Sequence, residues 1–175
     1  MLNVTSLESM LSNSRGQINL DLKNWNLSTI TNAANLFYGY NTSIATPGEL
    51  IYSGDRENRL LGENFLYGSQ MFANAGFSKI DTSIITPQAK LASISLMFKA
   101  SPVSDLGEGY KSWNVSSITE FKEIFAGTAM SSLDLDNWNF NNGYNFTGML
   151  SGMSNLTSLG SKQGISHLIT TDNIH

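Results

Sequence analysis

The sequence has 175 residues, of which 41% are apolar, and its net charge is −4. Its charged fraction of 14% is well below the roughly 25% of an average globular protein, so Ser, Thr and Asn must supply most of the polar surface. Nucleic-acid binding requires clustered Lys and Arg, whereas this chain has only 10, scattered singly. The absence of cysteine excludes disulfides and thiolate metal sites.

Membrane insertion is not expected, because no stretch approaches the ~20 consecutive apolar residues of a spanning helix. The amino-terminal residues also lack a basic region followed by an apolar run. We therefore expect no signal peptide in the chain as given, and its length predicts one domain.

The amino-terminal segment shows a pattern that recurs along the chain. Apolar residues lie seven, four and one positions before Leu11, which is the spacing of one helix face. The next apolar residues alternate with polar ones, at Ile18, Leu20 and Leu22, as in a half-buried strand. This predicts a short helix followed by a short strand. The same alternation predicts further strands at Ile80, Thr82 and Ile84 and at Leu133 and Leu135.

The full helical pattern returns before Phe37, Phe98 and Phe125, and the apolar pair that ends it returns five times, each time at an apolar anchor. The anchors share a period of about 26 residues, which is within the range of stacked repeat units, except for one long interval between Phe37 and Phe72. A tryptophan stands at the same distance before three of the anchors, and we expect its ring to fill the gap between units. The anchors and tryptophans are Leu11, Trp25, Phe37, Phe72, Phe98, Trp113, Phe125, Trp138 and Leu150.

The one long interval indicates about nine inserted residues, which we place in an insertion loop between positions 45 and 64. Insertions in repeat proteins often form the binding face, although a tolerated surface loop is the alternative. Replacing residues 46–62 is expected to leave the fold intact and to weaken binding. The candidate partner-binding residues are Glu49, Tyr52, Asp55, Arg56, Glu57 and Arg59.

Residues 161–175 follow the last unit as a carboxy-terminal tail. Its apolar residues Ile165, Leu168 and Ile169 predict a cap on the last unit. The amino-terminal unit begins almost directly at Val4 with no separate cap. This indicates a fragment of a longer chain, or a partner that packs against the first unit.

Catalytic and metal-binding patterns are missing from the repeats. Both histidines, His167 and His175, lie in the tail, and no known nucleophile, phosphate-binding or dinucleotide motif occurs. Acidic residues recur in the predicted strands, for example Asp21 and Asp134, but without a calcium-loop pattern. We therefore expect no enzyme activity, no metal and no cofactor.

The stretch WNVSSITEFKEIFAGTAMSSLDLDNWNF resembles BspA-like leucine-rich repeats of the Mycoplasma surface-lipoprotein type. The resemblance covers roughly residues 3–160, and it departs where Ile85 stands in place of a tryptophan and Thr86-Pro87 follows. It implies an α/β fold: a leucine-rich-repeat-like solenoid of about six units over residues 1–160, each a short helix plus a short parallel strand.

The resemblance also implies a function. Such proteins act as non-enzymatic recognition or adhesion modules that bind a protein or a glycan at a cell surface. The alternative is a structural component of a large particle, such as a phage capsid decoration or tail accessory protein, in contact with neighbouring subunits. The expected location is accordingly the cell surface, the extracellular space or a virion.

Overall fold

The computed structural model describes residues 3–160, which form successive turn-rich layers. Each layer contains one long turn segment. Just before these segments, consecutive layers pair in parallel, for example Ser6 with Asn32 and Tyr67 with Ser93. The turn segments of the described residues are 8–13, 34–43, 69–74, 95–100, 122–127 and 147–152.

The predicted helices are wrong, because residues 3–160 contain no α-helix. In the first turn segment Met10 N–H donates to the preceding Leu7 carbonyl over 3.1 Å, while Leu11 N–H donates to Leu36 of the next layer over 3.0 Å. Alternate amides therefore leave their own segment, which an α-helix cannot allow. The fold-class prediction of six helix-plus-strand units is wrong for this reason.

Left-handed residues recur at two positions of the turn segments. Ser9 and Asn13 have φ values of 57° and 54°, and in the last segment Gly148 and Gly152 have 60° and 71°. A positive φ at the third position of a four-residue turn is the type II geometry. Two such turns in sequence place apolar residues three and four apart, which is the spacing that predicted a helix.

Three short parallel strands form the only named sheet of the described residues: β1 (Leu20–Asp21), β2 (Gly48–Ile51) and β3 (Phe77–Ile80), in that order. Two 3₁₀-helices, Thr82–Ile84 and Gly109–Ser112, follow later extended segments. β1 lies inside the first predicted strand, and β3 ends where the second was predicted to begin. No strand of two or more residues forms at Leu133. Its neighbour Ser132 makes a single parallel pair with Ser158.

The predicted insertion loop is only partly a loop, since it contains β2. The paired residues Leu20 and Leu50 are farther apart in sequence than the paired residues Ser6 and Asn32. Some of the extra residues therefore lie before β2. The extra residues are therefore divided between the segments before and after β2. Gly48 is required in β2 because an added Cβ would lie 1.8 Å from the Ile18 carbonyl oxygen.

The core is a column of aromatic and aliphatic side chains that runs through the layers. The rings of Phe37, Phe72, Phe98 and Phe125 stack at centroid distances of 5.7, 5.5 and 5.7 Å. Offset stacking of this kind stabilises beyond area burial by about 0.5–1.5 kcal/mol per pair. The predicted tail cap, residues 161–175, lies outside the described residues.

Candidate ligand cleft

A cleft of about 610 Å³ opens where the extra residues after β2 meet the neighbouring layers. Its lining combines hydroxyls, amides, one guanidinium and one carboxylate around an apolar patch. The residues that line it are Ser28, Thr29, Arg56, Asn58, Leu60, Gly62, Glu63, Asn64, Thr86 and Gln88. Three consecutive layers contribute, so the cleft exists only when the layers are stacked.

Arg56 is held in a fixed position at the cleft. Its Nη2 lies 2.5 Å from Asp81 Oδ2 and 2.9 Å from the Tyr52 carbonyl, and its Nη1 donates to Ser83 Oγ over 2.7 Å. The guanidinium carbon also lies 5.6 Å from the centre of the Tyr52 ring, within cation–π range. These contacts use both terminal nitrogens to join the extra residues to the next layer.

Asp81 is the counter-charge for Arg56, and it stays ionised to low pH. Partial burial raises the pKa of Asp81, but hydrogen bonds from Ser83 and Arg56 and the guanidinium charge outweigh this and hold the pKa below 3.8. The arginine end of the cleft is therefore neutralised at physiological pH.

The loop that carries Arg56 rests on Tyr52. That side chain is only 2% exposed, and its hydroxyl lies 2.9 Å from the Asp55 carbonyl and 3.2 Å from the Trp25 carbonyl. The Asp55 carboxylate accepts from Glu57 N–H over 2.9 Å, which closes a local turn. The rim residues are thus anchored before any ligand binds.

Thr86 contributes an unusual feature to the cleft wall. Its hydroxyl oxygen is buried and has no hydrogen-bond partner among residues 3–160. An unpaired buried hydroxyl costs about 1–3 kcal/mol, so most buried polar groups are paired. The Thr86 side chain must rotate to present this hydroxyl to a ligand in the cleft, because its oxygen is shielded from solvent.

Of the residues predicted to bind a partner, the structure brings only Arg56 into the cleft. Glu49 lies on β2 with its N–H bonded to Asn19 Oδ1 over 3.1 Å, and Tyr52 is buried beneath the loop. The remaining three lie on the loop outside the cleft: Asp55 and Glu57 are exposed, and Arg59 uses its carbonyl to accept from Leu27 N–H over 2.7 Å.

Sequence reasoning missed the other cleft residues. Ser28 and Thr29 come from an ordinary repeat position, and Asn58 carries a positive φ of 53° in the loop. The sequence contained one signal for this site, which is the departure from the repeat pattern at Ile85 and Thr86. Of these two residues, Thr86 lines the cleft. Three other layers have a tryptophan followed by asparagine, whereas this layer has a smaller pair at the corresponding positions.

The predicted structural anchors lie along the column of the core. The four phenylalanines are buried, whereas Leu11 and Leu150 at the two ends are partly exposed. Trp113 and Trp138 stack with centroids 6.2 Å apart, and each indole N–H donates to a carbonyl of the preceding layer. Trp25 is only partly buried, at the amino-terminal end.

No group of three or more His, Asp or Glu side chains that could hold a metal ion occurs within residues 3–160. In the same part of the chain, no helix has the length and apolar character needed to cross a membrane. The side chains at the cleft can form hydrogen bonds, and Arg56 forms one ion pair there with Asp81. Neither histidine lies among the described residues.

A family model described as "Mycoplasma protein of unknown function, DUF285" matches residues 1–46 and 64–173. The chain belongs to this family. It is a repeat-containing family related to BspA-like surface repeats. No curated protein matches the chain, and no solved structure matches it.

The DUF285 match leaves out residues 47–63. Those residues include β2 and half of the cleft lining: Arg56, Asn58, Leu60, Gly62 and Glu63. Half of the cleft lining thus lies in sequence that the family model does not match.

Proposed function

We propose that this DUF285 protein is a non-enzymatic recognition module of the BspA-like surface type, and that its cleft binds a glycan at a cell surface. The observation that carries the proposal is the cleft itself, whose lining offers hydroxyl, amide, guanidinium and carboxylate groups. Its volume lies in the range of small-molecule sites, about 300–1,000 Å³.

The chemistry of the lining favours a sugar over a protein partner. Sugar hydroxyls donate and accept hydrogen bonds, and the cleft offers both kinds of partner in its amides, hydroxyls, guanidinium and carboxylate. A protein partner would require a larger and flatter interface of about 1,200–2,000 Å². Within residues 3–160, no aromatic side chain lines the cleft, so we expect weak binding, with a Kd on the order of 1 mM.

The alternative function is a structural component of a large particle. The cleft does not favour it, because a concave site lined by three layers suits a small ligand better than a neighbouring subunit. The proposal includes a location at the cell surface or outside the cell, because a cell-surface glycan is found there.

Saturation-transfer NMR with a panel of neutral and acidic oligosaccharides tests the proposal. Binding should weaken several-fold in Gln88→Ala and Glu63→Ala, since both side chains line the cleft and are exposed. Glu57→Ala is the matched control, because this exposed carboxylate lies on the same loop outside the cleft. If no oligosaccharide binds, or if all three variants bind as the wild type does, the cleft is not a glycan site.

A further inference from the structure

The cleft lies along three stacked copies of one four-residue turn. In each copy the N–H of the fourth residue donates to the carbonyl of the first, for example Phe65 to Gly62 over 2.9 Å and Ala89 to Thr86 over 3.0 Å. The three turns are 27–30, 62–65 and 86–89, and they supply most of the residues that line the cleft.

The same turn recurs in later layers, at 115–118, 140–143 and 153–156. Its second position can therefore be compared from layer to layer. Among these six turns of the described residues, only the turn at the centre of the cleft has a charged residue there, which is Glu63. The residues at the second position are Ser28, Glu63, Pro87, Ser116, Asn141 and Ser154.

The backbone that carries Glu63 is held on both sides. Before it, Leu61 pairs in parallel with Ile85, and the Leu61 carbonyl accepts from Thr86 N–H over 2.9 Å. After it, the Asn64 amide donates to the Ser28 carbonyl over 3.1 Å. The Glu63 carboxylate is exposed, and because its backbone is already ordered, a ligand does not have to order it on binding.

The two charged residues of the cleft lining differ in their partners. The charge of Arg56 is compensated by its ion pair with Asp81. Glu63 forms no ion pair with any residue within 3–160, and the cations Arg59 and Lys90 do not line the cleft. The uncompensated charge of the lining is therefore the negative charge of Glu63.

We infer that the glycan bound in this cleft is an amino sugar, whose protonated amino group pairs with the Glu63 carboxylate; the inference depends on the proposed glycan function. An ammonium group has three N–H donors and no acceptor. The Glu63 carboxylate and the side-chain carbonyls of Asn58 and Gln88 offer it acceptor oxygens. An acidic sugar is disfavoured, because its carboxylate and that of Glu63 repel each other, while Arg56 is already paired with Asp81.

Three trisaccharides of equal length separate the recognition of charge from the recognition of a sugar. They are a glucosamine trimer at mildly acidic pH, where its amino groups are protonated, a neutral N-acetylglucosamine trimer and an acidic glucuronic acid trimer. Chemical-shift titration of the isotope-labelled protein measures the Kd of each. We expect the glucosamine trimer to bind about two- to five-fold more tightly than the neutral trimer, which is the effect of one exposed ion pair, and the acidic trimer to bind most weakly.

Glu63→Gln is the test variant, because it removes the charge and keeps a hydrogen-bonding side chain of similar shape. The glucosamine and N-acetylglucosamine trimers should bind this variant equally. Glu57→Gln is the matched control, since this exposed carboxylate lies on the same loop outside the cleft, and it should keep the preference for glucosamine.

Equal binding of the glucosamine and the neutral trimer to the wild type would overturn the amino-sugar assignment and leave the glycan function standing, whereas a cleft that binds no sugar at all would remove both. A preference that survives in Glu63→Gln, or that is lost in Glu57→Gln, would also overturn the assignment. Free lysine is the final comparison. If it binds as tightly as the glucosamine trimer, the cleft recognises an ammonium group without a sugar, and the assignment is wrong.

Discussion

The ring of Phe72 lies parallel to the ring of Phe98 in the next layer, with a centroid distance of 5.5 Å and an interplanar angle of 5°. Both side chains are at most 1% exposed. Phe37 stacks on the other side of Phe72 at 5.7 Å. Phe72 therefore joins three layers through a single side chain.

We expect Phe72→Ala to destabilise the protein by about 3–5 kcal/mol, since the neighbouring rings cannot close the cavity. Phe72→Leu should cost less, because leucine occupies the equivalent position in the first and last layers. Urea unfolding measures both. A loss under about 1 kcal/mol for Phe72→Ala, well below the usual cost of such a cavity, would mean that the column does not hold the layers together.

Two equivalent positions test the strain in the turn segments. Ala100 and Gly127 both have positive φ, 54° and 70°, and a Cβ at Gly127 would find only ordinary contacts at 3.6 Å. Gly127→Ala should therefore destabilise by about 1 kcal/mol, while Ala100→Gly should stabilise by a similar amount. Thermal unfolding measures both changes. Effects of the same sign would contradict the left-handed geometry.

The Trp138 indole tests the bonds between layers. Its N–H donates to the Tyr110 carbonyl over 2.8 Å, and the side chain is 6% exposed. Trp138→Phe removes the donor and should cost about 1–3 kcal/mol in unfolding free energy. Trp25→Phe is the control, because Trp25 is partly exposed and its indole donates to no described residue. Equal losses in the two variants would show that packing alone matters.

The ion pair between Arg56 and Asp81 predicts a pH dependence. Since the pKa of Asp81 is below its ordinary value of 3.8, its contribution to stability is present above that pH and is lost as the pH falls through the folded value. Asp81→Asn should be less stable near neutral pH, and its stability should fall less as the solution is acidified through that range. Urea midpoints across the acid range measure the difference. If the urea midpoint of Asp81→Asn depends on pH as steeply as that of the wild type, Asp81 is not the cause of the pH dependence.

The extra residues can be removed without removing β2. The interval from Leu50 to Tyr67 exceeds the equivalent interval from Leu20 to Asn32 by the length of the segment 54–58, so deleting that segment restores the ordinary spacing. We expect this deletion to keep cooperative unfolding and to abolish glycan binding. From the sequence we expected that replacing residues 46–62 would leave the fold intact, but the structure predicts that this change disrupts the fold, since it removes the buried Leu50 and Tyr52. Circular dichroism and saturation-transfer NMR distinguish the two outcomes.

The sequence by itself determined the repeat. Anchors such as Phe37 and Phe98 recur because each layer must place one large apolar side chain in the same column, and this requirement appears directly as the period of the apolar pattern. The long interval likewise showed that one layer carries extra residues. The number of residues between two anchors is the same whatever the local backbone geometry, so the sequence alone shows it.

Only the tertiary structure decided the local geometry and the cleft. Apolar residues at Leu7, Met10 and Leu11 fit a helix and a pair of turns equally well, and hydrogen bonds to the next layer select the turns. The position of the extra residues around β2 depends on the pairing of Leu20 with Leu50. The cleft combines residues from three layers, and it forms only because stacking brings together side chains that are distant in the chain.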